Sequence, residues 1–99
     1  MNIGATIENL RKKKNIKQNE LAKLSNITPS YLSLIESNKK DPNLSTLRSI
    51  STALNTPLPI IFFLSLTEDD IPENKKDSYK LLSPLVKSVI SDVFITDSV

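Results

Sequence analysis

Two kinds of polar side chain in this 99-residue sequence are arranged in clusters: basic groups and serine hydroxyls. Four basic residues occupy positions 11–14, and the pair Lys39 and Lys40 follows a serine-containing stretch at 30–37. The chain has neither His nor Cys, so the usual zinc sites and nucleophile–imidazole pairs cannot be built. No carboxylate pair stands out for acid–base work. These residue types favour binding over catalysis, and we expect neither an enzyme nor a cofactor or metal.

The charge is divided unevenly along the chain. Residues 1–66 carry nine basic and four acidic side chains, whereas residues 67–99 carry four basic and seven acidic ones. A basic body favours a polyanionic partner. An ordinary solvated surface would explain the charge alone equally well.

Length and hydropathy limit the class of protein. Ninety-nine residues fit one small domain with an appended element. The N-terminal residues do not form a signal peptide, because their basic cluster follows the apolar residues. The longest apolar run, Leu58–Leu64, contains Pro59 and is too short to cross a bilayer. We therefore expect a cytoplasmic protein that makes no membrane contact.

The elements that would position the basic and hydroxyl groups are helices. Apolar residues recur at three- and four-residue steps, and no stretch alternates as a strand does. Thr28 and Pro29 form a strong start signal, because Thr caps helices well and Pro suits their first position. Asn43 or Ser45 can cap a later helix. The predicted helices cover residues 3–14, 18–25, 29–37, 44–54 and 60–65. A polar linker at 67–77 and a helical segment at 78–99 follow this 1–66 domain.

An asparagine directly follows each of the first four predicted helices. Helices commonly end at a residue in the left-handed conformation, which is usually Gly because a Cβ is costly there. This chain has a single glycine, and Asn is the side chain that tolerates the conformation best. We predict left-handed backbone at these positions, where Gly should replace Asn with little change in stability. Alternatively, Asn is simply common in the chain. The four residues are Asn15, Asn26, Asn38 and Asn55.

Residues 18–37 have the spacing of two short helices joined by a tight turn. Counting from Gln18, small Ala22 is fifth, where the second helix crosses closely, and Asn26 is ninth, in the turn. The positions that pack the two helices together hold Leu21, Ile27, Leu32 and Ile35.

On these residues the chain resembles the Cro and phage-repressor type of helix-turn-helix protein, the XRE-like regulators, from about Ile3 to Leu64. The resemblance implies an all-α, five-helix, lambda-repressor-like DNA-binding domain whose third helix lies in the major groove. The sequence departs from the family pattern in its four Asn residues, where Gly is usual, and at Lys17, where Ser or Thr usually caps the second helix.

The resemblance also implies which residues read bases. Leu32 and Ile35 point inward by helical spacing, which turns the intervening side chains outward. The base-contact candidates are Pro29, Ser30, Ser33 and Leu34, with Tyr31 beside them. Hydroxyls can bond to several bases, and Leu34 can meet only a thymine methyl, so hydrogen-bonded readout should be poor. A plain solvated helix surface is the alternative.

Phosphate contacts supply register and most of the affinity. The candidates are Arg11, Gln18, Thr28, Asn38, Lys39 and Lys40. Arg11 and Glu36 also match a pair that bridges the first and third helices in the family. That pair would fix the third helix against the body, unless the two are unrelated surface charges.

The tail segment carries apolar residues in pairs every four positions, which predicts a helix with one broad apolar stripe. Ser83 and Pro84 could instead start a new helix after a short one. The stripe either contacts a second copy of the chain or folds back over residues 58–64, and both can hold together. The dimerisation candidates are Leu81, Leu82, Leu85, Val86, Val89, Ile90, Val93 and Phe94.

These features together predict a prokaryotic, sequence-specific regulator of transcription that binds double-stranded DNA. We expect a repressor-like homodimer on paired operator half-sites. An antitoxin or a restriction–modification controller would use the same domain. A more distant alternative is a helical protein-interaction module, which salt-sensitive binding to duplex DNA would exclude. The sequence leaves the operator, the regulated genes and any small-molecule effector open.

Overall fold

The computed structural model describes residues 1–96 and shows an all-α fold, as predicted. Short 3₁₀ turns at Glu68–Asp70 and Glu73–Lys75 precede the last α-helix, and a π-helical turn at Ser91–Ile95 follows it. The end of the predicted tail segment, residues 97–99, lies outside the described residues. The α-helices are α1 (Ile3–Lys13), α2 (Gln18–Leu24), α3 (Pro29–Glu36), α4 (Leu44–Ala53), α5 (Leu58–Ser65) and α6 (Lys76–Ile90).

Side-chain caps fix where three of these helices begin. Thr28 Oγ1 accepts a hydrogen bond from the Tyr31 N–H at 3.1 Å, which confirms the predicted start of α3. Asn43, rather than Ser45, caps α4 by accepting from the Thr46 N–H at 2.8 Å. Asn2 caps α1 in the same way. Each cap satisfies an N–H that has no partner within its helix.

The start of α2 has no such oxygen, because its cap residue is Lys17. The Glu20 carboxylate instead accepts from the Lys17 N–H, over a long 3.3 Å. Only one of the two bonds of a Ser- or Thr-based capping box can therefore form.

Asparagine ends four helices in the left-handed conformation, which confirms the prediction. The four φ angles lie between 53° and 60°, and residues 1–96 contain no other non-glycine residue with positive φ. The backbone N–H groups of Asn26 and Asn38 donate to Lys23 O and Ile35 O over 3.1 and 3.0 Å. These bonds satisfy carbonyls at the ends of α2 and α3 that would otherwise lack partners.

The fifth helix begins earlier than predicted. It starts at Leu58 and includes Pro59 in its first turn, whereas the sequence prediction treated the proline as a breaker and began at residue 60. Proline is tolerated in a first turn because its missing N–H would have no partner there.

One apolar core lies between the first five helices. α1 contacts α3 and α5, α2 contacts α3 and α4, and α4 contacts α5. The buried cluster is made entirely of residues between positions 7 and 61, so this body has a core without α6. Its members are Ile7, Leu10, Leu21, Ala22, Leu32, Ile35, Leu47, Ile50, Leu54 and Ile61.

The tail forms one helix, α6, which passes through Pro84. The alternative of a new helix starting at residues 83–84 is therefore wrong. The predicted broad stripe divides between two faces of α6 and of the π-helical turn that follows it. Ser83 and Ile90 are buried, whereas Val86 and Phe94 are half-buried. The outward face exposes more than half of five apolar side chains: Leu81, Leu82, Leu85, Val89 and Val93.

Three contacts hold α6 and its last turn to the body. Tyr79 donates its hydroxyl hydrogen to Leu66 O over 3.2 Å, and Lys14 Nζ donates to Phe94 O over 2.5 Å. Ile95 packs against the core. One face of the tail thus folds back on its own chain while the other remains uncovered. Among residues 1–96 no single helix is long and apolar enough to span a membrane; α4 and α5 reach that length only together, across a 101° bend.

Candidate nucleic-acid interface

The outward face of α3 displays the residues predicted to read bases. Pro29, Ser30 and Ser33 are exposed, and Leu34 keeps 37% of its surface accessible. This exposure follows from the burial of Leu32 and Ile35 on the opposite face of the helix. Tyr31 differs from the other candidates: it is half-buried and packs against the core, which places it at the side of this face.

A shallow groove runs between the start of α2 and α3. Its lining consists of Gln18, Pro29, Ser30, Ser33 and Leu34. The groove therefore collects four of the five base-contact candidates and one phosphate-contact candidate. None of these side chains is charged, and two of them are wholly apolar.

Two lysines stand at the end of α3, beside this face. Lys39 and Lys40 are exposed, and neither forms an ion pair with another residue in the range 1–96. Their backbone N–H groups donate to Leu34 O over 2.9 and 3.2 Å and so close the helix. Their ammonium groups are left to face solvent, where they can attract phosphate.

Other phosphate-contact candidates have partners inside the chain. Thr28 is exposed, but its hydroxyl oxygen caps α3. The Asn38 N–H is bonded to Ile35 O, and its side chain is bonded to α1. Arg11 keeps only 8% of its surface accessible. The geometry therefore favours Lys39 and Lys40 over these three as phosphate contacts.

Arg11 and Glu36 form a buried, two-point ion pair between α1 and α3. Arg11 Nε lies 2.8 Å from Glu36 Oε2, and Nη2 lies 3.1 Å from Oε1. Arg11 Nη1 also donates to Ile16 O over 3.0 Å. The hydrogen bonds to Glu36 raise the pKa of the Arg11 guanidinium, although burial opposes the shift. The buried guanidinium thus faces a carboxylate at hydrogen-bond distance, and such pairing is the condition under which burial of charge is tolerated.

Gln18 extends this pair to α2. Its Nε2 donates to Glu36 Oε1 over 2.9 Å, so a single carboxylate joins α1, α2 and α3. The sequence analysis did not predict this contact, although Gln18 is the first residue of the motif. The network fixes the distance between the start of α2 and the outward face of α3.

A second link, which the sequence analysis missed, joins Asn38 to Asn2 and Gly4 at the start of α1. Asn38 Oδ1 accepts from the Gly4 N–H at 3.2 Å, and Asn38 Nδ2 donates to Asn2 Oδ1 at 2.8 Å. A Cβ on residue 4 would lie 2.2 Å from Ile35 O, which only glycine avoids. The sequence contained one signal for this contact: the only glycine of the chain lies inside a helix, where glycine is unfavourable.

Comparison with other sequences identifies a family and two relatives of this chain. A sequence model of the helix-turn-helix family matches residues 7–61. The "ImmF control region 10 kDa protein" of Bacillus phage phi105 is 37% identical over 71 residues, which cover 72% of this chain and 76% of the relative. The "Immunity repressor protein" of the same phage is 36% identical over 61 residues, covering 62% of this chain but only 42% of that longer protein.

Solved structures show the same arrangement of helices. One crystal structure of the clp gene regulator ClgR from Corynebacterium glutamicum superposes with a TM-score of 0.62 at 28% identity, over 64% of this chain and 82% of that one. A second ClgR structure superposes with a TM-score of 0.63 at 21% identity, over 92% of this chain and 89% of that one. The second likeness extends beyond the five-helix body and supports the fold alone.

Proposed function

The chain belongs to the helix-turn-helix family, a class of DNA-binding transcription regulators and not of enzymes, and from this premise we propose that it is a homodimeric repressor of paired operator half-sites. The observation that carries the proposal is the recognition surface. An uncharged groove along α3 can meet base edges, and Lys39 and Lys40 beside it can meet phosphates.

The relatives support a repressor among the possible regulators. One phage protein is named as an immunity repressor, and the other is named for the ImmF control region of the same phage. We therefore place the chain in the same kind of role, which keeps it in the prokaryotic cytoplasm where the DNA is.

The outward face of α6 supports the dimer. Leu81 is 76% exposed, and Leu82, Leu85, Val89 and Val93 are each exposed by 58–64%. Burying one such side chain contributes about 1.5–3 kcal/mol relative to leaving it in water. A second copy of the chain is the partner that fits this face best, because a two-fold symmetric dimer packs the apolar stripe of one subunit against the same stripe of the other. Pairing also supplies the two recognition helices, about 34 Å apart, that paired half-sites require.

Selection from a random duplex pool tests the DNA-binding part of the proposal. We expect the full chain to enrich a sequence with two related half-sites and to bind it less tightly as salt is raised. In a plot of the logarithm of affinity against the logarithm of salt concentration, Lys39→Ala and Lys40→Ala should each make the slope shallower by about one unit. Neither substitution should change the preferred sequence. Lys75→Ala, at an exposed lysine outside residues 18–40, serves as the control. Enrichment of no sequence, or binding insensitive to salt, would contradict DNA reading.

Charge placed on the stripe tests the dimer. Leu85→Glu with Val89→Glu should give a folded monomer in sedimentation, with much weaker binding to the paired site and weak binding to a half-site. Leu24→Glu adds one such charge to another exposed leucine, 60% accessible on α2, and should leave the dimer intact. A double variant that remains a tight dimer would place the interface elsewhere.

A further inference from the structure

The groove along α3 has an unusual set of side chains for a surface that reads bases. It contains no Arg, Lys or Asn, which are among the side chains that make paired hydrogen bonds to guanine or adenine. Its two hydroxyls can donate or accept, so they discriminate weakly. Pro29 and Leu34 offer apolar contacts, and Gln18 offers its side-chain amide.

Gln18 offers its side-chain amide to a base. Its Nε2 donates one hydrogen bond to Glu36 Oε1 over 2.9 Å, which leaves the second Nε2 hydrogen and the Oε1 acceptor outside that contact. The groove is thus lined by one amide, two hydroxyls and two apolar groups.

These groups match one base pair better than the others. Thymine is the only base with an apolar group, its 5-methyl, on the major-groove edge, and its partner adenine presents an amino donor. Guanine presents two acceptors and no methyl group, and the groove has no charged donor to meet them. We propose that the groove holds the methyl group of a thymine in an A·T pair of each half-site, with Leu34 as the residue that contacts it. This inference rests on the proposed function, because it assigns the chemistry of the DNA that the recognition surface binds.

Removing single methyl groups from DNA tests the inference. The duplex enriched by the full chain is remade with deoxyuridine in place of each thymidine in turn, which deletes the methyl and keeps the base pair. Affinity should fall about fourfold at one thymine of each half-site. This factor corresponds to about 0.8 kcal/mol for one buried methyl-sized group.

Matched variants separate contact with Leu34 from a change in DNA shape. In Leu34→Ala, deoxyuridine at that thymine should cost nothing further, because the contacting side chain is gone. Leu24→Ala removes the same atoms from an exposed leucine outside the groove and should keep the fourfold effect. A deoxyuridine penalty that persists unchanged in Leu34→Ala would overturn the assignment of Leu34.

The outcomes distinguish this inference from the proposed function. If the full chain selects a sequence but tolerates deoxyuridine at every thymine, methyl reading is wrong and DNA recognition stands. A selected half-site without any A·T pair would have the same meaning. If no sequence is selected at all, the proposed function fails and this inference fails with it.

Discussion

Asn38 and Asn2 join the end of α3 to the start of α1: Asn38 Nδ2 donates to Asn2 Oδ1 over 2.8 Å. The two residues are 36 positions apart in sequence. Asn2 Oδ1 also caps α1 by accepting from the Ala5 N–H over 3.0 Å, so one oxygen serves both contacts. The end of α3 is therefore fixed by a side chain as well as by its left-handed backbone.

This contact changes the prediction for Asn38→Gly. The sequence alone predicts a neutral substitution, because glycine suits positive φ. The structure predicts a loss of about 1–2 kcal/mol in the free energy of unfolding, since two side-chain hydrogen bonds disappear. Asn26→Gly should be nearly neutral, because the Asn26 side chain makes no hydrogen bond within residues 1–96, whereas Asn26→Val should cost about 1–2 kcal/mol. Urea unfolding measures all three, and equal stability of Asn38→Gly and wild type would contradict the contact.

Gly4→Ala should destabilise the protein, against the usual effect of alanine in a helix. Alanine normally stabilises a helix interior by about 0.5–1 kcal/mol relative to glycine. Here the added Cβ would lie 2.2 Å from Ile35 O and 2.5 Å from Asn38 Oδ1, so α1 must move away from α3. We expect a loss of about 1–3 kcal/mol in thermal or urea unfolding. Ala5→Gly, at the exposed neighbouring position, is the control: alanine should be the better residue at position 5 and the worse one at position 4.

Removing one member of the Arg11–Glu36 pair should cost more than removing both. Arg11→Met leaves a carboxylate whose side chain is 1% exposed with Gln18 as its remaining side-chain partner, which should cost about 3–5 kcal/mol. Adding Glu36→Leu should recover at least roughly 1 kcal/mol, a coupling that a double-mutant cycle measures. Because the pair is buried, raising the salt concentration should change the coupling little. Additive effects of the two substitutions would mean that the pair does not act as a unit.

A chain truncated after Leu66 should remain helical and become monomeric. Its core survives because all of the clustered residues lie between positions 7 and 61. The free energy of unfolding should fall by about 1.5–3 kcal/mol, since Ile95 no longer packs against the core of the body. Circular dichroism measures the helical structure, and sedimentation measures the oligomeric state. Loss of helical structure would show that α6 belongs to the core of its own subunit, and a tight dimer would place the interface in the body.

Local signals made most of the body predictable. Thr28, Pro29 and Asn43 act on the N–H groups of the next few residues, so their effect can be read without knowledge of the fold. The four left-handed asparagines are local in the same sense. The predicted start of α5 was wrong at Pro59, because a proline in a first turn and a proline that ends a helix look alike in sequence.

The contacts that position the outward face of α3 were harder to predict, because the residues that form them are distant in sequence. The Gln18–Glu36 contact spans 18 positions, and the Gly4–Asn38 contact spans 34. The division of the α6 stripe has a different cause. Periodicity shows which residues share a helix face, but it does not show how much of a broad apolar face the neighbouring helices cover.

The asparagines at the helix ends also affect the protein before it folds. Glycine loses more conformational freedom on folding than any other residue, so four glycines between the helices would give the unfolded chain four very flexible joints. Asn15, Asn26, Asn38 and Asn55 carry side chains that restrict those joints. Replacing Gly by a residue with a Cβ lowers the entropy lost on folding by about 0.4–1 kcal/mol where the native conformation is tolerated. The strain accepted in the folded turns is thus offset in part by a narrower denatured ensemble, in which successive helices have fewer relative orientations to search.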